Sequence, residues 1–210
     1  MNYDNIRSQV QQYYDAKLQS HGPTARGVDW NSPESQQLRF DQLLKIVDRN
    51  SSFTINDFGC GYGALVDYLV KEGCSFQYYG FDISKEMVAQ ANELHDGMNN
   101  VAFLNREADL SQADYTIASG IFNVKLNTPI PDWENYILET MTFLNGLSRR
   151  GFSFNVLTKY SQQEFMRPDL YYADPLMLFD YCKTRFSRFV SILHDYPLYE
   201  FTILVRKTVE

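Results

Sequence analysis

The chain has 210 residues, 44% hydrophobic and 21% charged, the ordinary make-up of a globular protein large enough for a real core and most simply one domain. A net charge of -7 and a pI near 5.0 argue against non-specific affinity for nucleic acid, whose phosphates select Lys/Arg patches. No apolar run is long enough to span a bilayer, Met1-Asn2-Tyr3-Asp4 is not a leader, and Cys60, Cys74 and Cys182 share no CxxC spacing, so a cytoplasmic protein with reduced thiols is expected.

Ile6, Val10, Tyr13, Tyr14 and Leu18 recur at helical spacing and predict a first amphipathic helix. Ser32-Pro33-Glu34 reads as the N-cap, N1 proline and first-turn acid of a second, carrying Leu38, Leu44 and Val47. From Phe53 onward strands and helices alternate. The predicted strands are 53–57, 76–81, 101–105, 114–119 and 151–158, with helices near 63–72, 84–95 and 132–147. Ser84 caps the second of these helices and Asp132 the third. Alternation of this kind implies right-handed βαβ units and a mostly parallel sheet. A polar, aromatic stretch from Ser161 to Ala173 follows, and Asp174-Pro175 opens a further helix to about Phe186. The chain closes on two extended runs, Phe189–His194 and Glu200–Arg206. A link as short as the one through Tyr196-Pro197 makes that pair antiparallel, because a parallel crossover needs about a dozen residues or more. The expected fold is therefore α/β: a Rossmann-like, doubly wound, seven-stranded sheet, mostly parallel with a C-terminal antiparallel hairpin strand, behind a helical N-terminal cap.

The most informative segment is Asp57-Phe58-Gly59-Cys60-Gly61-Tyr62-Gly63, between the first strand and the helix carrying Leu65, Val66, Leu69 and Val70. Strand, glycine-rich turn and helix form a backbone device for nucleotide-like cofactors, since glycines permit the turn and close approach of the ligand. The spacing alone is ambiguous. Gly59, Gly61 and Ala64 satisfy G-x-G-x-x-G/A, the dinucleotide pattern, while Asp57, Gly59, Gly61 and Gly63 satisfy acidic-x-G-x-G-x-G. The acid at the strand end would repel a pyrophosphate and attract a cationic amino-acid group. The terminal hairpin is likewise foreign to the usual dinucleotide sheet order.

From about Asn50 to Lys207 these motifs, in this order, resemble the class I S-adenosylmethionine-dependent methyltransferases. The resemblance implies a helical cap over residues 1–50 and a methyltransferase domain over 51–210, the cap being part of that same domain. It implies S-adenosyl-L-methionine as cofactor, with loop 57–63 around its methionine end. Asp82 would bind the ribose hydroxyls, Ile83 pack on the adenine, and Glu107-Ala108 read the adenine edge. Phe58, Ser119 and Tyr14 are counted with these cofactor residues. Each acid also has a plainer reading: Asp57 as a turn cap, Asp82 as part of a helix start, Glu107 as a surface acid.

The acceptor is less legible. In this family its pocket forms over the C-terminal ends of the strands, which here carry polar and aromatic segments. Candidate substrate residues are Arg26, Trp30, Phe122, Asn123, Arg167 and Tyr171. Arg26 or Arg167 could clamp an anion, although Arg167 beside Asp169 equally suits a loop ion pair. A base is needed only if the acceptor must lose a proton, and His194 and His21 are the candidates. No metal-ligand spacing is present, and nothing predicts the oligomeric state. Segment 119–123 lacks the N/D-P-P-Y sequence of methyltransferases acting on DNA bases. Full length, with Arg26–Trp30 and Ser119–Asn123, the chain also looks like a group of short bacterial methyltransferase-like proteins without a settled substrate. The expectation is methyl transfer by in-line displacement to a small-molecule acceptor, acidic or hydroxylated, with no nucleic acid or membrane as partner. The alternatives are an NAD-dependent oxidoreductase, or a non-catalytic cofactor-binding sensor or scaffold.

Overall fold

The computed structural model describes residues 3–207; Met1 and Asn2, on which part of the leader reading rests, and the last three residues of the segment 51–210 lie outside them. Seven strands form one sheet in the order β3-β2-β1-β4-β5-β7-β6. They are β1 Phe53–Phe58, β2 Phe76–Phe81, β3 Val101–Leu104, β4 Ala113–Ala118, β5 Ser148–Leu157, β6 Phe189–Leu193 and β7 Glu200–Arg206. β7 runs antiparallel to both neighbours, β5 and β6, and the other pairings are parallel. The terminal hairpin thus folds back so that its second strand lies inside the sheet and its first forms the edge.

Among the described residues six α-helices accompany the sheet: α1 Asp4–His21, α2 Pro33–Leu43, α3 Ala64–Lys71, α4 Lys85–Leu94, α5 Ile130–Leu147 and α6 Pro175–Arg185. Local chemistry sets several starts. The Ser32 hydroxyl accepts from Ser35 N–H at 3.2 Å and the Ser35 hydroxyl from Ser32 N–H at 3.3 Å, a reciprocal cap on α2. Ser84 accepts from Met87 N–H at 3.0 Å and Asp174 from Leu176 N–H at 2.9 Å. Asp132 does not cap α5: the helix begins at Ile130 behind Pro129, which leaves Asp132 in the first turn, where a carboxylate still favours the dipole. β5 begins at Ser148, earlier than its apolar pattern suggests, because Ser148 already pairs with Ala113 of β4 ahead of a register shift, and side-chain bonds support this stretch. Arg149, for example, donates to Asp114 at 3.2 Å.

The sheet buries both faces, as a parallel sheet must. On one, Phe58, Phe152, Phe154 and Phe201 meet Trp133, Ile137 and Met141 of α5 and Leu178 of α6. On the other, Phe53, Ile55, Tyr115 and Ile117 meet Phe40 and Leu43 of α2 and Leu65 and Leu69 of α3. Each fully buried side chain of this size contributes about 1.5–3 kcal/mol. Among the described residues no helix is long and apolar enough to cross a membrane. The strand order reverses between β1 and β4, and a crevice outside the carboxyl ends of the strands is the natural ligand position in such a sheet.

Candidate functional site

The loop leaving β1 is fixed from both sides. Gly59, Gly61 and Gly63 have φ of +84°, +54° and +86°, which side chains strongly resist. Gly59 N–H and Cys60 N–H both donate to Phe81 O, at 2.7 and 3.0 Å, joining the loop to the end of β2. Asp82, just beyond β2, accepts from Gly61 N–H on one oxygen and Ser84 N–H on the other, each at 2.9 Å. One carboxylate therefore holds both the glycine loop and the start of α4. A Cβ on Gly59 would lie 2.3 Å from Ile121, so the loop also packs tightly against the segment after β4.

Over this loop lies a cavity of about 100 Å³ that opens to solvent. Asp57, Phe58, Gly59, Gly61, Asp82, Ile83 and Ser119 line it from below, and Val10 and Tyr14 of α1 from above. Asp57 accepts from Tyr78 O–H at 2.8 Å. Burial pushes its carboxyl up to about 7, against the Tyr78 bond and with the help of nearby Asp82. Burial likewise lifts Asp82 to about 6, although the two N–H bonds oppose it. The Ser119 hydroxyl is buried with no hydrogen-bond partner among the described residues. Two carboxyls and an unsatisfied hydroxyl around a glycine cradle suit a ligand carrying both a cation and hydroxyl groups.

A second cavity of about 330 Å³ adjoins the first, and Tyr14, Val28 and Trp30 line both. Its walls include Asp29, Arg39, Asn123, Arg167, Tyr172 and Tyr199. Arg39 lies over the Trp30 ring, 3.9 Å from its centroid, and donates through Nε to Glu200 at 3.0 Å. Glu200, wholly buried, also accepts from Asn155 Nδ2 at 2.9 Å, and Asn155 Oδ1 accepts from Gly120 N–H at 2.9 Å. A Cβ on Gly120 would fall 2.2 Å from Trp30, which closes a ring of contacts around the junction of the cavities.

Several residues singled out in the sequence lie elsewhere. Gly63 faces away from the cavity, toward His95 and Phe103. Glu107 pairs with Arg7 of α1 at 3.0 Å and Ala108 is exposed; neither lines the first cavity. Phe122 is wholly buried against Phe154 and its carbonyl receives Trp133 Nε1–H at 3.0 Å. Tyr171 is buried with its hydroxyl on Glu134, and the neighbouring Tyr172 lines the second cavity instead. Arg26, His21 and His194 are exposed and line neither cavity. Arg167 does line the second, but bound to Asp169 through Nε at 3.1 Å and Nη2 at 2.5 Å. Asn123 lines it too, while its Oδ1 accepts from Leu157 N–H at 3.0 Å. Residues missed by sequence reasoning are Asp29, Arg39, Gln36 and Phe40. Gln36, Arg39, Phe40 and Leu43 follow helical i, i+3, i+4, i+7 spacing, a signal that would have put Arg39 on the inward face of α2.

The family model described as "Methyltransferase domain" matches residues 55–145, from β1 into α5. The Mycobacterium tuberculosis protein named "Putative methyltransferase Rv1506c" is 53% identical over 164 residues, 78% of this chain and 99% of that one. A solved structure described as the DhpI-SAM-HEP complex superposes with a TM-score of 0.64 at 16% identity, covering 97% of this chain and 99% of that chain. The N-methyltransferase NodS from Bradyrhizobium japonicum, solved with S-adenosyl-L-homocysteine, superposes at 0.65 with 10% identity, over 93% and 97% of the two chains.

Proposed function

The chain belongs to the class I S-adenosylmethionine-dependent methyltransferases, and from that membership we propose that it moves the cofactor's methyl group onto a small-molecule acceptor held in the second cavity. The observation that carries this reading is the meeting of the two cavities at Tyr14, Val28 and Trp30. One has the glycine cradle and two carboxyls, and the other has polar and aromatic walls. Its size suits an acceptor of metabolite dimensions. The three cysteines are free, in keeping with the reducing cytoplasm, where we place the protein.

When bound, S-adenosylmethionine supplies a methyl group already activated on a sulfonium centre, which leaves the chain chiefly a task of placement. Asp57 meets the amino-acid cation at the end of β1. Asp82, which keeps a free lone pair on each oxygen beyond its two N–H bonds, takes ribose hydroxyls. Ile83 packs on the base, and Ser119 gains the partner it otherwise lacks. Trp30, clamped between Arg39 and Gly120, fixes the wall past which donor and acceptor meet.

Calorimetry tests the cofactor half directly. S-adenosylmethionine and S-adenosylhomocysteine should both bind, and Asp82→Ala should weaken both by about 1–3 kcal/mol, the range for losing a buried polar contact. Failure of both ligands to bind the wild-type chain would end the reading. Nothing in the site favours a nicotinamide cofactor, whose pyrophosphate would face Asp57.

A further inference from the structure

We propose that the acceptor is an uncharged hydroxyl compound and that Asp29 takes the proton its hydroxyl loses on methylation, an inference that rests on the methyl-transfer reading above. Three charged side chains line the second cavity, Asp29, Arg39 and Arg167. Each already has an opposite charge. Arg39 pairs with Glu200 at 3.0 Å, Arg167 with Asp169 at 2.5 Å, and Asp29 with Lys17 at 2.6 Å. The cavity wall is therefore electrically balanced. An anionic acceptor would have to compete with Glu200 or Asp169 for its cation, and drawing Arg39 away would strand a wholly buried carboxylate. A cationic amine at Asp29 would stand beside the like charge of Lys17. The N–H groups left on the two guanidiniums, the amide of Asn123 and the hydroxyls of Tyr172 and Tyr199 suit an uncharged, hydroxylated partner instead.

Methylating such a hydroxyl releases a proton, and the second cavity has one carboxylate to receive it. Asp29 ends the short turn Ala25–Val28 with φ +63° and ψ +26°, a left-handed conformation uncommon outside glycine. That backbone places it between Val28 and Trp30, the residues that line both cavities. Its two oxygens are held separately: Lys17 Nζ donates to Oδ1 and Tyr13 O–H to Oδ2, each at 2.6 Å. Each oxygen keeps a lone pair, and the side chain remains one-fifth exposed, at 20%. Tyr14, at the same junction, is pushed up by burial and stays a proton donor. In the step itself the acceptor oxygen forms a bond to the methyl carbon, the carbon–sulfur bond breaks with its electron pair retained by sulfur, and the hydroxyl proton passes to Asp29. One methyl, one proton and no electrons beyond those pairs change place.

The acceptor class can be read without knowing the acceptor. A low-molecular-weight extract of the cells that make the protein is first separated on anion and cation exchangers into anionic, cationic and uncharged pools. Each pool is then incubated with the wild-type chain and methyl-labelled S-adenosylmethionine. Label should enter a compound of the uncharged pool, withstand mild alkali and be released as methyl iodide by hydriodic acid, as an ether methyl is. Label drawn only from a charged pool, or methyl resistant to hydriodic acid, would overturn the inference and leave methyl transfer standing. No label from any pool would overturn methyl transfer, and this inference with it. With the reactive pool in hand, Asp29→Asn should lower the rate at least about 100-fold, while S-adenosylhomocysteine affinity stays within about threefold. Asparagine tolerates the left-handed backbone, which keeps the loop intact. A variant that transfers at the wild-type rate would remove Asp29 from the reaction.

Discussion

Asp57 and Asp82 stand in a cavity with no lysine or arginine among its lining residues, which is why burial raises both, to about 7 and about 6. Without ligand the folded chain therefore holds protons on these groups over a range where the unfolded chain has released them. Such groups cost stability fully above their folded-state values, and the cost disappears as pH falls toward the ordinary carboxylate value. Their contribution thus favours the ligand-free fold progressively from about pH 7 down to about pH 4. Thermal unfolding between pH 8 and pH 5 should show a rising midpoint, and Asp57→Asn should flatten much of that rise. A ligand cation at Asp57 needs the carboxylate form, so the sign reverses for binding. S-adenosylhomocysteine affinity should increase with pH and level off above about pH 7. Calorimetry that finds a flat profile for the wild type would remove Asp57 as the partner of that cation.

At the scale of elements, α1 closes the first cavity. Val10 and Tyr14 line it, Asp15 accepts from the Ser84 hydroxyl at 2.5 Å, and Arg7 reaches Glu107 at 3.0 Å. Two contacts, about two turns apart, tie one helix to the segments that follow β2 and β3. Glu107, expected beside the adenine, instead serves here to moor the helix. Hydrogen exchange should show the amides of 4–21 slowing when S-adenosylhomocysteine binds; unchanged exchange there would mean that α1 is not part of the closure. The elements themselves were legible where their signals are local. Ser32, Ser84 and Asp174 cap helices because their own side chains reach N–H groups two or three residues on. The start of α5 departs from this pattern because Pro129, with its fixed φ, stands before Ile130 and supplies no side-chain cap. Candidate site residues fared unevenly for a related reason. Asp57, Asp82 and the glycines declare themselves by spacing, whereas Asp29 depends on a backbone turn and Arg39 on a partner 161 residues away.

Across the whole molecule, that distant pair decides how the cap meets the sheet. Arg39 of α2 is bound to Glu200 at the start of β7, and Ser153 of β5 donates to Leu43 O at 2.9 Å. The sequence predicts the terminal hairpin but not its insertion beside β5, because register between distant strands is set by partners that no local pattern names. Glu200 is such a partner: pushed up by burial and held down by Arg39 and Asn155, it fits only where β7 lies against β5. Removing one member strands the other charge in the interior, a loss of about 3–5 kcal/mol, whereas replacing both by apolar residues is often close to neutral. Urea denaturation should therefore find Glu200→Leu and Arg39→Met each strongly destabilising, and the double variant much less so than their sum. Because the pair spans cap and sheet, both should unfold in a single transition whose midpoint, and not its number of steps, moves with each variant. Additive losses would mean that the two charges do not depend on one another. A separate early transition in Glu200→Leu would mean that the cap folds independently of the sheet.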